Sequence, residues 1–183
     1  MPRWPEQALG ACLVLVVLLD VFLTVLYARI GTGIVSDRLA DSEVFACHGS
    51  PAGGDLDYLL DDVASGRAVL APDDAIQPRL VGIGAARLVL CGHTHMPRVV
   101  QVGNVTAVNP GSIGMPAYTD DSPVPHAIET GAPHARYAVV TRKPGRAWSV
   151  ELRAVAYDWD RAAQQAQMNG KPSVARWTAT GRV

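Results

Sequence analysis

The residues best suited to chemistry are histidines, and two of them stand together in Gly92-His93-Thr94-His95. The five residues before them, 87–91, read RLVLC, a continuous apolar run of the kind a buried strand makes. Two histidines at i and i+2 leaving such a strand project to one side, and Gly92 lets the backbone turn close to whatever they hold. Neutral imidazoles placed in this way can chelate a divalent metal. A bare H-x-H pair is also common in sequences that bind no metal, so the flanks decide. A third histidine, His48, closes a second short apolar run at 44–47 and opens the turn His48-Gly49-Ser50-Pro51.

Other elements must carry these loops. Leu56, Leu59, Leu60 and Val63 recur at i, i+3, i+4 and i+7 ahead of Gly66, which predicts an amphipathic helix over 55–65 with an acidic, solvated face. A short helical stretch is expected near 75–81. Residues 99–102 and 105–108 flank Gly103-Asn104, the two-residue turn chemistry of a hairpin. A further pair, 137–141 and 148–156, brackets Lys143-Pro144-Gly145-Arg146. Residues 110–133 between the two pairs read as irregular. A last helix is expected over 158–169, with Asp158 as N-cap and Gly170 as its stop.

The string LVLCGHTHMPR, followed after one hairpin by Val108-Asn109-Pro110-Gly111-Ser112-Ile113-Gly114, resembles the closing motifs of calcineurin-like metallophosphoesterases, in particular the small bacterial and archaeal phosphodiesterase branch. His48 in its H-G-S-P turn is similar too, so the resemblance runs from about residue 44 to the C-terminus. It implies an α/β sandwich of two mixed sheets flanked by helices, with a two-metal centre where strand-end loops meet. Carried over residue by residue, it makes His48 and His93 ligands of one metal and His95 a ligand of the other. Manganese, iron, zinc or nickel would suit such a shell, and the substrate would be a phosphate ester.

The sequence departs from that family in its first half. D-x-H, G-D-x-x-D and G-N-H, which the resemblance requires for the bridging carboxylate, the remaining ligands and a transition-state histidine, do not occur in the 183 residues. Gly54-Asp55-Leu56-Asp57 has the wrong spacing, and Gly103-Asn104 is followed by Val105. Three histidines alone would hold at best one open-site metal, and hydroxide generation would lack its second Lewis acid. The fold expected is therefore an incomplete two-sheet α/β sandwich. Its activity is impaired, or its missing half comes from another chain, or it serves as a tethered binding module without turnover. The loss of that half is expected to leave apolar surface exposed on the strands at 44–47 and 87–91.

Other polar residues carry ordinary expectations. Cys47 and Cys91 are buried thiols of apolar strand ends rather than ligands, and no CxxC pairing includes Cys12. Asn109 and Ser112 shape the loop wall beside the histidines. Arg98 and Arg136 are open between binding a phosphate oxygen and simple surface solvation. His126 and His134 read as loop residues.

Composition bounds the rest. With 49% hydrophobic and 18% charged residues, the chain is long enough for one domain with a core plus an appended segment. A formal net charge of -1 provides no basic field for a phosphate backbone, so there is no nucleic-acid signature. Residues 8–30, ALGACLVLVVLLDVFLTVLYARI, are interrupted only by Asp20 and have the length of a single-pass membrane helix. A secretory signal is the rival reading. Residues 1–31 are accordingly expected to be a membrane anchor and 32–183 a partial phosphoesterase domain. Arg29 and Arg38 after the segment, against Arg3 before it, place that domain on the cytoplasmic side.

Overall fold

A computed structural model describes residues 13–17, 43–54, 56–143 and 145–183. In chain order its strands are β1 (Leu13–Val17), β2 (Val44–Ala46), β3 (Asp61–Asp62), β4 (Val69–Leu70), β5 (Leu88–Leu90), β6 (Arg98–Val102), β7 (Val105–Asn109), β8 (Ala117–Asp120), β9 (His126–Glu129), β10 (Ala135–Arg142) and β11 (Ser149–Val155). The helices are α1 (Asp73–Arg79), α2 (Trp159–Met168) and α3 (Pro172–Thr180).

The sheet that bears the histidines has the order β2-β5-β7-β6. β2 and β5 run parallel with Ala46 opposite Leu90, so the chain leaves both strands on the same edge, where His48 and His93 follow. β6 and β7 form the antiparallel hairpin that the Gly103-Asn104 pair predicts, and Gly103 takes the left-handed φ of 57° that such a turn needs. β2 and β5 are apolar throughout because both of their faces are covered. Val44, Leu88, Leu90 and Val108 pack on Ala138 and Val140 of β10, which lies in a second sheet of order β1-β10-β11. Phe45, Val89 and Ala107 point the other way, into Leu59, Leu60, Ile76 and Leu80. The alternation follows the period-2 geometry of a strand, and it packs two of the four described sheets against each other in a mixed α/β fold.

Three expectations are corrected here. β2 and β5 expose no apolar face, since Val44, Leu88, Val89 and Leu90 are all at most 2% accessible. The residues around 55–65 are not a helix. Arg79, at the end of α1, donates through Nη1 to the carbonyls of Tyr58, Leu59 and Asp61, and Ala71 N–H donates to the Leu60 carbonyl. Those carbonyls are therefore engaged by tertiary partners, and the segment stays extended with β3 paired to β4. Third, 110–133 is not irregular: β8 and β9 form a hairpin within it.

The extended form of 58–63 gives a direct test. Leu60 is 1% exposed and Leu56 is 82% exposed, although a helix would place both on one apolar face. Leu60→Ala is expected to destabilise the fold by about 2–5 kcal/mol. Leu56→Ala is expected to stay within about 0.5 kcal/mol of wild type. Denaturant unfolding of the two variants measures both, and equal losses would restore the amphipathic helix.

Of the predicted membrane segment, Leu13–Val17 is described, and it is a strand rather than part of a helix, paired antiparallel with β10. A Leu-Val-Leu-Val-Val run suits a strand as well as a helix, because β-branched side chains favour the pleated form. The remainder of residues 8–30 lies outside the described residues. Among the described residues no helix is long and apolar enough to cross a membrane.

Candidate metal centre

His48 and His93 emerge from neighbouring parallel strands, and the backbone links their loops, since Gly92 N–H donates to the His48 carbonyl at 2.8 Å. Their rings meet with centroids 5.0 Å apart, tilted by 52°. His95 is turned to one side, its Nδ1 donating to the Met115 carbonyl at 2.9 Å and its ring edge-on to Tyr118 at 5.2 Å. A carbonyl can only accept, so Nδ1 carries a proton, and Nε2 is the nitrogen through which this ring would bind a metal. All three histidines are partly exposed. Among the described residues, no three His, Cys, Asp or Glu side chains form a group that could hold a metal. The constellation is an imidazole pair with a third imidazole beside it.

The loop that carries this pair is strained. His93 has φ of 64° and His95 φ of 57°, left-handed values that cost a residue with a Cβ roughly 1–3 kcal/mol each. Such conformations persist only where the surroundings impose them. Behind the loop, Asp61 is fully buried and accepts from Arg98 Nε at 2.7 Å and from Thr94 Oγ1 at 2.8 Å, with Arg98 Nη2 at 2.6 Å completing an ion pair. Asn109 Nδ2 donates to the Gly92 carbonyl and to Thr94 Oγ1, and its own carbonyl oxygen accepts from Gly111 N–H. The chain Arg98, Asp61, Thr94, Asn109, Gly92 thus fixes the backbone on both sides of His93.

Electrostatics act on His93 in the same direction as a metal site would need. Burial above all, with the neighbouring His48 and His95 charges, lowers its pKa to about 4, against a hydrogen bond to the Leu56 backbone and the Asp120 charge, which raise it. The imidazole is therefore neutral at physiological pH, which is the form that coordinates. Burial also raises the Cys91 thiol, as expected of an inert core cysteine, while Cys47 Sγ donates to backbone carbonyls of Gly49 and Leu90.

A family model for the calcineurin-like phosphoesterase superfamily domain matches residues 33–131, which include all three histidines, Asp61, Arg98, Asn109 and Ser112. The chain belongs to the calcineurin-like phosphoesterase superfamily. Members of this superfamily generally bind divalent metals. The fold agrees: the hypothetical protein PH1004 from Pyrococcus horikoshii OT3 superposes with a TM-score of 0.59 at 19% identity, over 85% of this chain and 53% of that one. The chain thus spans about half the length of that structure. A Vps29 double mutant from Entamoeba histolytica is also matched, at 20% identity and a TM-score of 0.17, over 38% of this chain and 40% of that one. No curated protein matches.

Within this phosphoesterase domain the other expected residues take definite places. Asn109 and Ser112 are both buried wall residues, Ser112 Oγ accepting from Met115 N–H and so holding the carbonyl that orients His95. Arg98 is not a solvated surface residue: its Nε and Nη2 pair with the buried Asp61. Arg136 is likewise buried, its Nη1 donating to the Ala132 and His134 carbonyls, and desolvation lowers its pKa. His126 is not a loop residue: it begins β9, buried, and contacts Tyr58. His134 precedes β10 and packs its ring on Trp159. Asp61 was hidden in the sequence by the helical period of its neighbours. Asp57 lies just before Tyr58-Leu59-Leu60 and Asp62 follows directly, so nothing nearby singles Asp61 out.

Proposed function

We propose that this domain is the imidazole-bearing part of a phosphate-ester hydrolase, holding one divalent metal ion through His48 and His93 with His95 alongside. The observation that carries the reading is the imidazole pair, two rings 5.0 Å apart at the ends of parallel strands, one of them kept neutral by burial. The donor set fits a borderline metal such as manganese, iron, zinc or nickel, and its two nitrogens leave positions for oxygen ligands. When bound, such a metal polarises a phosphoryl oxygen and lowers the pKa of water. The chain's own residues do the placing. The Asp61 network holds the loop, Met115 orients His95, and the surrounding burial keeps His93 unprotonated.

A second reading, a metal-binding module without turnover, is favoured by a specific observation: no D-x-H, G-D-x-x-D or G-N-H occurs in the 183 residues. One experiment separates the two. Metal-stripped protein is titrated with Mn2+ by equilibrium dialysis and assayed on a bis-aryl phosphodiester. We expect about one ion bound per chain, an affinity that His93→Ala weakens by more than the roughly 10–100-fold typical of losing an outer-shell partner, and turnover near the uncatalysed rate. Absence of saturable, His93-dependent binding would overturn the metal site. Strong turnover lost in His93→Ala would show that the chain is a complete hydrolase.

A further inference from the structure

The β8–β9 hairpin contributes no ligand in the reading above, yet one of its faces is directed at His93. Tyr118 and Asp120 of β8 and His126 and Ile128 of β9 share that face, because Tyr118 pairs with Ile128 and Asp120 with His126. Ile128 is fully buried against Tyr58 and Val63, and Met96 and Tyr118 pack on the same cluster. From this face Tyr118 Oη donates to the His93 carbonyl at 2.9 Å. The contact holds the peptide group that follows the left-handed His93.

The ring of His93 is held from a second direction. Tyr58 lies against it with centroids 4.8 Å apart, on a ring that also meets His48 and is hydrogen-bonded to the Leu56 backbone. Tyr58 is itself buried and tethered, with its Oη 2.8 Å from His126 Nε2, and His126 is edge-on to it at 5.5 Å. His126 Nδ1 lies 2.7 Å from the Val124 carbonyl, which can only accept. Nδ1 therefore carries a proton, and in that tautomer Nε2 accepts from the tyrosine hydroxyl. The chain Val124, His126, Tyr58 is satisfied at every step, and the Tyr58 hydroxyl is also linked to that of Tyr118.

We propose that the β8–β9 hairpin is a positioning clamp for His93, in which Tyr118 sets the backbone of the ligand and the Tyr58–His126 pair sets the plane of its ring. The inference rests on His93 being a metal ligand, and it assigns Tyr118, Tyr58 and His126 as positioning residues, none of them a ligand. Outer-shell groups of this kind typically change metal affinity by roughly 10–100-fold when removed.

The test uses the full chain with Tyr118→Phe and His126→Asn, and two readouts. The first is Co2+ binding to metal-stripped protein, followed by visible absorption. The second, independent of metal, is the pair of His93 ring nitrogen resonances in the metal-free protein, assigned by their loss in His93→Ala. Expected are sharp His93 ring nitrogen resonances in wild type and shifted, broadened ones in both variants. Co2+ affinity should fall about 10-fold in each, with an altered absorption envelope. Unchanged ring resonances in both variants overturn the clamp, whatever the metal result. If the resonances respond as expected but wild type binds no Co2+, the metal reading fails and the clamp survives as a device acting on His93. If the variants lower thermal stability yet leave resonances and affinity as in wild type, the hairpin is only structural and the proposal falls.

Discussion

Asp61→Ala is expected to destabilise the folded chain by about 3–5 kcal/mol, because it leaves the Arg98 guanidinium in a largely buried position with its counter-charge gone. The Asp61 side chain is fully buried and that of Arg98 is 19% exposed, so water can replace the carboxylate only at one edge. Thr94 loses its acceptor in the same substitution, and Thr94 lies between the two left-handed histidines. At this chain length the loss should lower the midpoint of thermal unfolding by roughly 10 °C or more. The double variant Asp61→Ala with Arg98→Met should recover at least about 1 kcal/mol, since an apolar pair of similar volume often replaces a buried ion pair without penalty. By contrast, truncating Arg67, which is 72% exposed and pairs with Glu129, should change stability by no more than about 1 kcal/mol. Equal behaviour of Asp61→Ala and Arg67→Ala in denaturant unfolding would show that the loop region opens to solvent and that the network does not hold it.

This pair also shows where sequence reasoning succeeds and where it stops. The strands β2 and β5 are legible because both faces are buried, which makes 44–47 and 87–91 unbroken apolar runs ending at His48 and Gly92. The β6–β7 hairpin is legible from Gly103-Asn104, and the start of α2 from Asp158, whose Oδ1 accepts from Arg161 N–H as an N-cap should. The region 55–65 misleads because Leu56, Leu59, Leu60 and Val63 fall on a helical period while the long-range bonds from Arg79, distant in sequence, decide the backbone. No local signal reports a partner that folding brings in from twenty residues away. β8–β9 is obscured by the many prolines around it, and α3 by the stop signal at Gly170. Pro172 at its first turn and Gly181 at its C-cap are nonetheless ordinary helix boundaries that local rules can find. Of the candidate site, the three histidines and Asn109 are visible as a motif. Asp61, Tyr58, Tyr118 and His126 are not, because each acts through a contact made by the tertiary fold.

The C-terminus supplies the second large effect. Gly181 closes α3 with φ of 65°, its N–H donating to the Trp177 carbonyl and its own carbonyl accepting from Gly131 N–H at 2.9 Å. Two residues on, Val183 N–H donates to Glu129 Oε1 at the end of β9. A Cβ built on Gly181 would meet the backbone of Ala132 at 2.4 Å from N and 2.6 Å from O, and backbone cannot swing aside as a side chain can. Gly181→Ala therefore combines left-handed strain with overpacking and should cost about 2–4 kcal/mol. Gly103→Ala is the reference, since Gly103 is also left-handed but has nothing within 4 Å, and it should cost only about 1–2 kcal/mol. Gly181→Asn separates the two causes, because asparagine tolerates the left-handed region yet still carries a Cβ. It should remain as unstable as Gly181→Ala in denaturant unfolding if the collision with Ala132 dominates. Recovery to the level of Gly103→Ala would assign the cost to backbone conformation alone. The collision has a functional reading as well, since 131–132 follow β9 directly and α3 packs on β8. Pushing that turn away should loosen the hairpin that holds His93, so the His93 ring resonances of Gly181→Ala should shift toward those of Tyr118→Phe, while those of Gly103→Ala stay at their wild-type positions.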